Sequence, residues 1–168
     1  MIHTPRTIVQ FLHWLEGSAL GHGMRATGVW TYGIVNLVHI LGIALLFGAI
    51  VVLDLRLLGL WRRLPLALVS RPLVTVAGIG FALAALTGIP MLATKAVDYA
   101  GNPFLFLKLP AIALALLNVW LVHRSKAWQA HKVRELEPEE RRRLARGAAL
   151  SLAFWLTAIT CGRMIAYW

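Results

Sequence analysis

The stretch Trp30–Leu60, WTYGIVNLVHILGIALLFGAIVVLDLRLLGL, decides the class of fold. From Thr31 to Leu53 it carries no formal charge, and a helix that crosses a bilayer needs about 20 apolar residues. This segment is therefore expected to span a membrane. One ionisable group stands inside it, His39, with Asn36 one helical turn before.

Composition extends that reading to the whole chain. Of the 168 residues, 59% are hydrophobic and 14% charged, with a mean hydropathy of +0.70. Soluble domains run nearer half apolar and about a quarter charged. Further spans are expected at about 72–94, following Pro72, at about 104–122 and at about 148–167, beside the first at about 31–53. The expected fold is all-α: an integral membrane four-helix bundle forming a single membrane domain over 1–168, with an N-terminal amphipathic interfacial helix at about 4–20. In that helix Thr4 is placed to cap and Pro5 suits the first turn, while Ile8, Phe11, Leu12, Leu15 and Ala19 share one face. Gln10, His13 and Glu16 then turn to water, in a helix lying on the membrane or capping the bundle end. Gly21 and Gly23 mark the following segment, 21–25, as a flexible link. The first ten residues are too polar for a signal-peptide core, so the N-terminus is expected to be retained.

The formal charge of +10 does not indicate a nucleic-acid partner, which would need a basic face on a soluble fold. Its distribution reports topology instead. Of 17 Lys and Arg residues, 12 fall in the connections between the first and second and between the third and fourth spans, and basic loops stay in the cytoplasm. Both termini are expected on the periplasmic side of a bacterial inner membrane. The run from Arg124 to Arg134 is expected to continue the third helix past the membrane, and Glu137–Glu140 to start the helix leading into the fourth span. Asp54 is expected to pair with Arg62 or Arg63 as an anchor. Gly80, Ala84 and Gly88, four residues apart, let another helix approach closely, in this chain or in a homo- or hetero-oligomer.

His39 sits roughly 10 Å inside the outer boundary marked by Tyr32, at helical rise. An imidazole at that depth is costly against lipid, so it is expected to face the bundle interior, either bonded between helices or holding a ligand or proton. Depth selects its companions: His22 in the link, and Met91, Cys161 and Met164 toward the outer ends of their spans. Histidine, cysteine and methionine together favour copper(I), and a histidine with a second histidine or a methionine holds haem iron. Arg25, Lys95, Lys108 and Arg163 are the outer cations, candidates for haem propionates, quinone or lipid phosphate. Packing and snorkelling account for each of these residues singly. His123 lies too deep to share an iron with His39, His3 and His13 are expected at the surface, and His131 is expected to be solvated in the basic loop. The single cysteine excludes an internal disulfide. No phosphate loop, HExxH site or nucleophile elbow is present, which argues against hydrolytic chemistry.

The segments WLEGSALGHGMR (Trp14–Arg25), HILG (His39–Gly42) and DLRLLG (Asp54–Gly59), with Asn102-Pro103 and the Asn118 to His123-Arg124 pattern, resemble an uncharacterised family of small bacterial four-helix inner-membrane proteins. A looser likeness runs to the copper-resistance D and membrane cytochrome b groups, where a first-helix histidine precedes small residues. The residues and that likeness together lead to the expectation of a small inner-membrane redox protein. It would bind one b-type haem or a quinone in the outer half of the bundle and exchange electrons with a periplasmic partner. His39 would be the ligand, with Asn36 beside it. A copper-binding or transport protein is the first alternative, and a structural subunit of a larger membrane complex the second.

Overall fold

The computed structural model describes residues 6–168, with side chains from Thr7 onward. The expectations for His3, Thr4 and Pro5 lie outside the described residues. The fold is all-α, as expected. Its helices are α1 (Arg6–Glu16), α2 (Ala19–Ala26), α3 (Gly28–Leu58), α4 (Leu66–Thr94), α5 (Pro103–Arg124), α6 (Lys126–Ala130) and α7 (Pro138–Met164), with 3-10 turns at Val97–Tyr99 and Ile165–Tyr167. α3, α4, α5 and α7 with its terminal turn are long and apolar enough to cross a membrane. Their outward faces carry large apolar side chains such as Leu41, Leu68, Leu86, Leu107 and Leu150, which are exposed. A soluble protein would not leave such faces to water, and lipid is the solvent that matches them.

The chain divides into two compact units. The first takes the residues up to Leu45 and Ile79–Pro103, so it holds α1, α2, the first half of α3 and the second half of α4. Here α3 and α4 approach at backbone distance. A side-chain carbon on Gly42 would fall 2.7 Å from the Ala84 nitrogen and 3.0 Å from the Gly80 oxygen, so only glycine permits this crossing. The small-residue face of α4 is thus covered by α3 within the chain, rather than left for an oligomer.

The segment 21–25 is not a flexible link. Ser18 caps α2, its hydroxyl accepting from the Gly21 nitrogen at 3.3 Å. Gly21 serves close approach: an added carbon would lie 2.4 Å from the Glu16 oxygen and 2.8 Å from the Ala93 oxygen. A Glu16 carboxylate oxygen accepts from the Val97 nitrogen at 2.7 Å. Arg25 donates to the carbonyls of Thr94 (3.0 Å) and Glu16 (2.8 Å). α1 and α2 therefore cap the end of α4, while Phe11 and Trp14 stay exposed and stacked on one another, as an interfacial helix requires.

The second unit takes Leu46–Gly78 and Phe104–Trp168. Its core gathers Leu66, Ala127, Trp128 and Leu144, with Leu53, Leu57, Val69 and Val122 packed around them. α4 begins at Leu66, earlier than expected, and runs through Pro72. α5 does not continue as a charged helix: the Ser125 hydroxyl accepts from the Trp128 nitrogen at 3.1 Å and starts the short α6, which brings Trp128 into the core. α7 starts at Pro138 behind a capping box of Glu137 and Glu140 and continues unbroken through the apolar span.

Candidate functional site

In the first unit His39 is half-buried on α3 with Asn36 one turn before it. Its Nδ1 lies 2.9 Å from the Ala84 carbonyl oxygen and 3.0 Å from the Thr87 hydroxyl. The Thr87 hydroxyl proton is directed to the Leu83 carbonyl at 2.6 Å, and a carbonyl oxygen only accepts. Nδ1 must therefore carry the proton, which puts the lone pair of a neutral imidazole on Nε2. Gly88 makes room for the ring, since a carbon added there would lie 2.9 Å from His39 Cε1. Thr87 and Gly88, adjacent on α4, thus bond and seat the same ring.

The other candidates of this unit are held separately. His22 is exposed on α2, and its Nδ1 accepts from Arg25 at 3.3 Å. Arg25 also braces the Thr94 carbonyl, which lies roughly 9 Å along α4 from Gly88 at helical rise. Met91 is half-buried and Lys95 exposed near the end of α4. In the second unit Cys161 is buried. The Lys108 ammonium lies over Gly162, next in sequence to Cys161, 3.1 Å from where a side-chain carbon would stand. Arg163 donates to the Tyr167 hydroxyl and stacks on that ring at 4.7 Å, and Met164 is exposed beside it. Among the described residues no three His, Cys, Asp or Glu side chains gather as a metal-holding group.

Two polar groups were misplaced by sequence reasoning. Asp54 is 5% exposed and bonds Ser151 on α7, rather than Arg62 or Arg63, which are exposed. His131 is not solvated: it is 5% exposed, its Nε2 lies 2.9 Å from the Ser70 hydroxyl, and its ring packs 4.5 Å from that of Trp128. Burial holds its pKa below the usual histidine value. Ser70 and Ser151, each a lone hydroxyl on an otherwise apolar helix face, were the available signals.

A family of unknown function, DUF6644, matches residues 11–168. The chain belongs to DUF6644. No curated protein and no solved structure matches it. The DUF6644 match runs through both units and includes the His39 and Asp54–Gly59 motifs. The match agrees with the uncharacterised family expected from those motifs, and the likeness to copper-resistance D and cytochrome b groups is not shown.

Proposed function

We propose that this DUF6644 chain is a small redox protein of the membrane in which His39 holds a b-type haem or a quinone. The observation that carries the reading is the Nδ1 proton donated to the Ala84 carbonyl. Metal-ligating histidines are oriented by such a bond, which fixes the tautomer and aims Nε2. An imidazole in that tautomer would also be suited to accept a hydrogen bond from a quinol hydroxyl. Either group supplies electron transfer when bound, and the protein supplies the anchored imidazole in an apolar setting. Asn36 shares the His39 face of α3. Lys95, whose ammonium has no partner among the described residues, suits a propionate. The concentration of 12 of 17 basic residues in two connections supports a bacterial inner membrane with periplasmic termini.

Expression with haem supplementation, followed by a visible spectrum and organic extraction of the detergent-purified protein, tests this. A Soret band or a stoichiometric quinone is expected, lost in His39→Ala. Absence of both, or retention of either undiminished in His39→Ala, overturns the reading.

A further inference from the structure

The second unit contains a cavity of about 740 Å³. Its walls come from the end of α3, the connection into α4, and the segment between α6 and α7 with the first turns of α7. The charged groups of the lining are basic apart from Glu135, and Leu57, Leu58 and Leu66 belong to its larger apolar part. The partners of these cations differ. Arg134 is paired with Glu140 at 2.8 Å and Arg142 with Glu139 at 2.9 Å. Arg56 is tied to the backbone of the turn: its Nε and Nη2 donate to the Leu64 carbonyl at 2.8 and 2.7 Å, and Nη2 donates to the Arg62 carbonyl at 3.3 Å.

Arg62 and Arg63 are different, because their guanidinium groups make no hydrogen bond or ion pair among the described residues. The turn that presents them is held by Arg56 and by Gly59, whose φ of +111° suits glycine. The Arg62 guanidinium lies over Gly59, 2.8 Å from where a side-chain carbon would stand. Deeper in the lining is His131, 5% exposed. Its Nδ1 faces the Trp128 carbonyl but does not reach it with hydrogen-bonding geometry.

We infer that this cavity is a binding site for a phosphate-bearing anion, with Arg62 and Arg63 as its primary donors. A braced turn carrying two uncommitted guanidinium groups is suited to phosphate oxygens, which accept the paired donors of each fork. The apolar lining beside them matches the glycerol and upper acyl region of an anionic phospholipid, and basic pockets at membrane boundaries take such headgroups. A soluble phosphate compound presents the same oxygens without the apolar part. This site is independent of His39 and of any redox group.

The test uses the full chain, delipidated in detergent and titrated with dioleoyl phosphatidylglycerol, dioleoyl phosphatidylcholine or inorganic phosphate. Bound lipid is read by native mass spectrometry and phosphate by isothermal calorimetry. Phosphatidylglycerol is expected to bind at least tenfold more tightly than phosphatidylcholine, and the Arg62→Gln/Arg63→Gln variant to lose roughly tenfold or more, the scale of charge-assisted hydrogen bonds. Arg71→Gln removes an exposed charge outside the cavity lining and is expected to leave binding within about twofold. Phosphate binding lost in the same double variant, without lipid selectivity, supports the site with a soluble ligand. Equal lipid affinities with no phosphate binding, or equal losses in Arg71→Gln and the double variant, overturn it, the last because diffuse surface charge would then be the cause.

Discussion

The imidazole of His39 is seated against Gly88, and one added carbon on that glycine would stand 2.9 Å from His39 Cε1. Real side-chain carbons do not approach that closely, so Gly88→Ala must displace the ring from its bond to the Ala84 carbonyl. Overpacking of this kind costs about 1–3 kcal/mol. We expect a lower unfolding midpoint and a weakened Soret band or quinone content. Gly78, on the same helix, has open space where its side chain would stand. Gly78→Ala is expected to be neutral or stabilising by up to about 1 kcal/mol. Equal effects of the two substitutions would show that the His39 seat is not what Gly88 provides.

Asp54 and Ser151 join α3 to α7 inside the second unit, and Asp54 Oδ2 has no hydrogen-bond partner among the described residues. Ser151→Ala removes the bond that Asp54 does make. Interhelical bonds in membranes contribute about 0.6 kcal/mol on average and up to about 1.7, so a loss in that range is expected in reversible unfolding. Asp54→Asn retains a group able to bond Ser151 and should be milder than Asp54→Ala. A double-mutant cycle of Asp54→Ala with Ser151→Ala checks this, and additive losses would refute the pairing.

His131 makes a pH-dependent contribution. Burial is the largest cause of its lowered pKa, opposed by the Trp128 backbone, with the Lys132 ammonium and the neighbouring His123 ring adding smaller effects in the same direction as burial. The unfolded chain therefore binds a proton more readily than the folded one as pH falls through about 6.5. Stability is present above that value and declines below it, toward the lower folded pKa. Melting of the purified protein between about pH 7.5 and 5.5 should show a falling midpoint, with a shallower slope in His131→Gln. An unchanged slope in that variant would assign the dependence to other groups.

Arg56 shapes the turn after α3 through its fork of bonds to the Leu64 and Arg62 carbonyls. Lysine keeps the charge and lacks the fork. Arg56→Lys is expected to make the segment 59–65 more sensitive to limited proteolysis and to weaken phosphatidylglycerol binding several-fold, although Arg62 and Arg63 are untouched. Unaltered cleavage would remove the bracing role.

Much of the fold was legible in the sequence. The four spans followed from hydropathy, and the start of α7 from Glu137, Pro138 and Glu140, because such signals act over one helix and its ends. The close approach at Ala84 was legible in the spacing of small residues, though its occupant was not. The reading failed at 21–25, where two glycines in three residues suggested flexibility. Gly21 instead lets α2 pass the Ala93 backbone, a requirement visible only when both segments are placed.

For the candidate site, the sequence by itself determined that His39 is an ionisable group within a membrane span and that two connections carry most of the basic charge. Tertiary structure alone decided that Ala84, 45 residues away, anchors its Nδ1, that Ser70, 61 residues away, bonds the buried His131, and that Arg56 braces a turn leaving Arg62 and Arg63 uncommitted. The division has a physical cause. Transfer of a helix into lipid is a sum over its own side chains, whereas satisfying a buried polar group depends on a donor or acceptor that the fold delivers from elsewhere in the chain.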